Sequence, residues 1–164
     1  MNAIVEVIVE IPAGSRNKYE YDPERRILRL DRVLHSSVHY PGDYGYIVET
    51  LAEDGDAADA LVMVTSPTVP GCLVEARVVG VLSMTDHKGR DDKLLGVPVG
   101  DPRFNHVHDL ADVPDHVLRE IEHFFQTYKA LEEKTVLTTG WKGADEAAGV
   151  VKSARANYAR SRRR

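Results

Sequence analysis

Cysteine is almost missing: Cys72 is the only one in 164 residues, so neither an internal disulfide nor a cysteine-rich metal site can form. Long apolar runs are missing too, since no stretch approaches the ~18 residues of a membrane-spanning helix. Basic excess is absent: 21 Lys and Arg face 26 Asp and Glu, a net charge of −5. A general nucleic-acid binder would instead carry a basic face. The N-terminus alternates like a strand and holds Glu6, unlike the apolar core of a secretory signal. There is no internal repeat and no linker. These absences lead us to expect one domain over residues 1–159, cytoplasmic, with no nucleic acid or membrane as partner. Residues 160–164 (RSRRR) are expected to form a basic, disordered tail.

What is present is negative charge packed into two short segments. The first, Asp54-Gly55-Asp56-Ala57-Ala58-Asp59, runs into the apolar stretch Ala60–Val64; the second, Asp86 to Lys93, follows Val78–Leu82. Carboxylates this dense repel one another unless cations neutralise them. All-oxygen ligands favour hard ions, so magnesium or manganese is the expected partner. Several such ions in one site are a common device for hydrolysing phosphate esters and anhydrides. In an extended segment Asp54 and Asp56 project the same way, and a turn through Ala57-Ala58 returns Asp59 toward them. The plain alternative is an acidic surface turn. An EF-hand does not fit, because its sixth and twelfth positions would be Asp59 and Thr65 rather than Gly and Glu.

The rest of the pattern is β-rich, then helical. Residues 3–11 read as a strand, Lys18–Tyr21 and Ile27–Leu30 as a hairpin around Asp22–Arg25, and Tyr46–Thr50, Ala60–Thr65, Leu73–Met84 and Lys93–Val99 as further strands. So many short strands suggest a barrel or strongly curled sheet. After Pro114, apolar residues from Val117 to Leu131 recur at helical spacing. A second helix is expected from about Asp145 to Ala159. The class is α+β, two helices against a β-rich body.

Lys18, Arg32, Tyr40, Tyr44, Lys93, Tyr128 and Lys129 are the cations and phenols that a phosphate-bearing substrate would need opposite the metals. Lys129 also suits a helix C-terminus, and Tyr128 belongs to the apolar stripe. Tyr40–Tyr46 reads as a rigid loop presenting phenols. His106-Val107-His108 offers a rival zinc site, although no third ligand is placed to finish it. A surface loop is the simpler reading.

These segments together resemble the soluble family I inorganic pyrophosphatases of the short bacterial type. The resemblance is carried by Glu10-Ile11-Pro12, Asn17-Lys18-Tyr19-Glu20, Leu30-Asp31-Arg32, Tyr40–Tyr46, the acidic signature at 54–59, Gly80–Lys93, and His123-Phe124-Phe125-Gln126-Thr127-Tyr128-Lys129. One departure stands out. Ala57-Ala58 replaces the usual Pro and apolar residue of the signature, which puts the stiffness of the turn in question.

The resemblance implies an α+β fold around a five-stranded closed barrel of OB type, extra strands, and a site at the barrel's mouth. It implies hydrolysis of pyrophosphate to two orthophosphates, with magnesium as cofactor and manganese or zinc as substitutes. Asp54, Asp59 and Asp91 would hold activating metal, and Asp86, Asp91, Glu10 and Glu20 further ions. Asp56 would take the proton of the metal-bridged water, with Tyr44 hydrogen-bonding that water or its base. Lys18 and Arg32 would bind the electrophilic phosphate, Tyr40, Tyr128 and Lys129 the leaving one, and Lys93 would balance Asp86 and Asp91. A homohexamer of two stacked trimers, with His123 near subunit contacts, is also implied. Two rivals stand beside this reading. One is a catalytically silent relative that binds only phosphate or metal; the other is a barrel that binds single-stranded nucleic acid, which an acidic mouth disfavours.

Overall fold

The computed structural model describes residues 1–163. Nine strands, β1 (Ile4–Ile11), β2 (Asn17–Asp22), β3 (Ile27–Val33), β4 (Asp43–Ile47), β5 (Asp59–Val62), β6 (Leu73–Asp86), β7 (Gly89–Arg90), β8 (Lys93–Pro98) and β9 (Leu137–Lys142), are joined by helices α1 (Asp115–Thr127) and α2 (Ala144–Ser161). Strands β1, β4, β5, β8 and β6 pair in that order, and β6 pairs back to β1, so the five close into a barrel. All of these pairings are antiparallel except β5 with β8. Closure removes the unpaired strand edges that an open sheet would expose. The fold is the expected α+β class: a closed five-stranded, OB-like barrel with additional strands and two helices.

The apolar runs have a simple cause. Successive residues of β5 and β8 enter different apolar clusters: Leu61 and Leu95 join the one containing α1's Ile121, Phe124 and Phe125. Ala60, Val62 and Leu94 join the one containing α2's Ala147, Val151 and Ala154. Both faces are therefore buried, and the alternation of a half-exposed strand disappears. Close approach makes its own demand at Gly45, where a Cβ would lie 1.8 Å from the Ile8 carbonyl oxygen of the paired strand.

Several boundaries differ from those expected. The strand placed at Tyr46–Thr50 is β4, shifted toward the N-terminus; it ends where Glu49 takes a left-handed backbone (φ 58°). Helix α1 stops at Thr127, and Leu131 is exposed on the 3-10 turn Ala130–Glu132 rather than buried in the helical stripe. Strand β9 has no counterpart in the sequence reading; it is polar and half exposed, and takes its place by pairing with the long β6. Helix α2 continues to Ser161, into the segment expected to be a disordered tail, and Arg162 lies over the Tyr158 ring. Arg164 lies outside the described residues. Among the described residues no helix is long and apolar enough to cross a membrane.

Candidate active site

Two irregularities in strand pairing set out one wall of the site. The register of β1 against β4 shifts between Val9 and Ile11, where Glu10 lies. That carboxylate accepts the Tyr21 backbone N–H at 2.8 Å. Burial foremost, with the Asp59 and Glu20 charges adding, pushes the Glu10 carboxyl up to about 7 against the opposing bond from Tyr21 and charge of Lys18.

In the β2–β3 hairpin, Lys18 stands opposite Arg32, and the register then shifts so that Asp31 is the extra residue. Like charges directly opposite on paired strands repel. The bulge answers this, because Asp31 Oδ2 accepts from Lys18 Nζ at 3.2 Å and from an Arg32 terminal nitrogen at 2.7 Å. Burial raises the Asp31 carboxyl, but Lys18 and then Arg32 outweigh it and hold it below the usual range. Lys18 also donates to Glu20 at 2.7 Å.

At the centre is Lys93, with its side chain 4% exposed. Its ammonium donates to the Tyr44 hydroxyl at 2.7 Å, Asp59 at 2.8 Å and Asp91 at 2.9 Å. The Tyr44 hydroxyl donates in turn to Asp59 at 2.7 Å. Burial opposes the Lys93 charge, yet Asp59, Tyr44 and Asp91 overcome it and the group is held well above its ordinary range. Burial raises the Asp91 carboxyl, Lys93 pulls against it, and the charges of Asp59 and Asp86 add to the rise.

Tyr44 is thus bound to Asp59, and Lys93 pairs with Asp59 and Asp91. The partner of Asp86 is Lys129, at 3.4 Å. Burial raises the Asp86 carboxyl, but the Lys88 backbone N–H and Lys129 bring it below its usual range. Burial lowers Lys129 more than Asp86 restores it.

The acidic loop is built differently. It is not extended: Gly55 takes a left-handed backbone (φ 91°), the Asp54 carboxylate caps the Asp56 N–H at 3.0 Å, and Ala52 N–H bonds the Asp56 carbonyl at 2.7 Å. The turn therefore falls before Ala57-Ala58, which lead straight into β5. Asp54 and Asp56 are exposed, and among the described residues neither carboxylate pairs with a cation. The Tyr40, Phe124, Phe125 and Tyr128 rings stack in tilted and edge contacts. Burial pushes the Tyr128 phenol up to about 12 and raises Tyr40 further still. Neither hydroxyl finds a hydrogen-bond partner among the described residues, and both side chains are buried.

The donors suit a hard divalent cation in kind, being carboxylate oxygens, of which Glu10 and Asp91 are raised by burial first and by neighbouring carboxylates in addition. As the side chains stand, no three His, Cys, Asp or Glu among the described residues converge on one ion, and Lys93 supplies the positive charge between Asp59 and Asp91. Among the described residues the zinc alternative at His106 and His108 finds no third ligand. That segment is a turn, with the His108 and Asp109 N–H groups both bonded to Asp112.

Two residues assigned no role above belong here: Asp31, in the bulge, and Glu132. Glu132 Oε1 lies 2.9 Å from Arg32 Nε, with its side chain 7% exposed. The charge pattern around Arg32 offered a signal for Asp31. Glu132, a hundred positions further on, offered none.

Carboxylates, cations and phenols gathered on an OB-like barrel are chemically suited to a small polyanion. Comparison with known proteins gives the family. Residues 7–159 match the family described as inorganic pyrophosphatase, and the chain belongs to that family. It is 51% identical over 157 residues to an inorganic pyrophosphatase of Geobacillus stearothermophilus, covering 96% of this chain and 95% of that one. It is 50% identical over 155 residues to one of Methanosarcina acetivorans, covering 94% and 92%. The crystal structure of the Thermus thermophilus inorganic pyrophosphatase superposes with a TM-score of 0.92 at 51% identity, covering 94% of this chain and 91% of that one. Members of this family are enzymes, and this chain is one.

Proposed function

We propose that this protein hydrolyses inorganic pyrophosphate to two orthophosphates in a magnesium-dependent reaction, with Asp56 as the general base. The observation that carries this reading is the contrast between a fully paired Lys93 network and an adjacent loop whose Asp54 and Asp56 carboxylates have no cation. Bare carboxylates beside a compensated charge cluster are what a divalent ion would complete, and Asp56 is exposed to a water.

Asp54, Asp59 and Asp91 would hold activating magnesium, and Asp86, Glu10 and Glu20 further ions; manganese or zinc would be substitutes. Bound magnesium would supply a lowered pKa for a coordinated water and neutralise phosphate charge. The protein's own groups do the rest. Asp56 accepts the proton of the attacking water, and the Lys93–Tyr44–Asp59 network fixes Asp59 beside it. Lys18 and Arg32, joined through Asp31, bind the electrophilic phosphate. Tyr40, Tyr128 and Lys129 bind the leaving phosphate, where new charge appears.

A homohexamer is the proposed assembly. Its support is the β2–β3 hairpin, which stands off the barrel and exposes Ile27, Leu28, Leu30 and Val33. One domain, a cytoplasmic setting, and no nucleic-acid or membrane partner complete the proposal. The test is orthophosphate release from pyrophosphate with magnesium, then with excess chelator. Release that stops with the chelator is expected. No release with magnesium, manganese or zinc would favour a silent relative.

A further inference from the structure

The chain immediately after Lys129 forms a 3-10 turn, Ala130–Glu132, closed by Glu133 in the left-handed region (φ 58°). A non-glycine residue held there is strained, and such strain gathers at functional sites. The turn carries Glu132 from Lys129 back to Arg32. There Oε1 meets Arg32 Nε at 2.9 Å, and Lys134 is 3.9 Å away. The Nε–H does not point along the contact, and Glu132 Oε2 is buried with no partner. A buried carboxylate oxygen without a donor is costly unless the site needs the charge. Asp31 holds one terminal nitrogen of the same guanidinium. Two carboxylates thus lie against Nε and one terminal nitrogen, while the other terminal nitrogen makes no ion pair among the described residues.

Resting on the proposed pyrophosphate reading, we infer that Glu132 is a positioning residue: it orients the Arg32 guanidinium so that its remaining edge faces the substrate. It also ties that edge to Tyr128 and Lys129 through a three-residue turn. The two proposed phosphate-binding groups are then one mechanical unit, because movement of the Lys129 segment displaces the carboxylate on Arg32.

Glu132→Gln keeps the shape and removes the charge. The expected result is a fall in kcat/KM of about tenfold, mainly through KM, with the thermal midpoint little changed. In an Arg32→Ala background the same substitution should change kcat/KM by less than about twofold, since its effect passes through Arg32. Glu132→Asp should recover part of the loss. Equal losses in both backgrounds, or a loss explained by a lower melting midpoint, would overturn the inference. So would unchanged kinetics. A readout independent of turnover is the Arg32 Nε–H resonance, assigned with Arg32→Lys. It should be protected in the wild type and shifted in Glu132→Gln; an unmoved resonance would overturn the inference. If the wild type releases no phosphate, the pyrophosphate reading fails, and this resonance alone decides Glu132.

Discussion

The acidic residues of this protein fall into two groups built on opposite principles. The inner group, Asp59, Asp91, Tyr44 and Lys93, is buried at its lysine and complete in itself, with three short bonds converging on one ammonium. The outer group, Asp54 and Asp56, sits on an exposed turn whose bonds use the backbone and leave the carboxylates bare. A compensated cluster contributes to the fold, and an uncompensated one is useful only to something that arrives. Stability and chemistry should therefore separate along this line.

The sharpest break is Asp56→Asn. Turnover should fall about a thousandfold, within the range for loss of a positioned general base, while the melting midpoint stays put. A large loss of stability there would erase the distinction between the two groups. Lys93→Met should do the reverse to the fold. It strands Asp59 and Asp91 without a cation, and breaking a buried pair in this way costs about 3 kcal/mol or more. Denaturant unfolding measures it, and a midpoint equal to wild type would mean that the inner group is not structural.

Magnesium should raise the melting midpoint and excess chelator should return it, because an ion held by the native carboxylates stabilises by about 2.7 kcal/mol at a hundred times its Kd. Loss of this effect in Asp54→Asn would place the ion at the outer group. Ala57→Pro is the smallest change. Ala57 N–H donates to no described group, so a proline removes no hydrogen bond and should stabilise by about 0.5–1 kcal/mol through the unfolded chain. A fall in stability would show that the backbone at 57 cannot take the proline angle.

How much was legible in the sequence follows the same physics. Ala60–Val64 and Val78–Leu82 declared themselves as strands because both faces of β5 and β6 are buried. The stripe of α1 was visible for the same reason, though not its end: Leu131 continues the spacing but sits on the turn that follows. β9 was illegible, since Leu137–Lys142 has little apolar content and owes its shape to β6. The site residues could be named because charge density and motif order mark them. Their partners could not. Which lysine meets which aspartate depends on β5 and β8 lying parallel, setting Asp59 against Lys93. Glu132 reaches Arg32 only because the chain folds back after Lys129, and no local pattern records that.

The measurement that tests the account most directly is orthophosphate release from pyrophosphate by wild type and Asp56→Asn side by side, with magnesium present and melting curves recorded for both. The account predicts release by the wild type, near-complete loss in the variant, and coincident melting. Wild-type-like release by Asp56→Asn would contradict it, because the outer group would then not be where the chemistry happens.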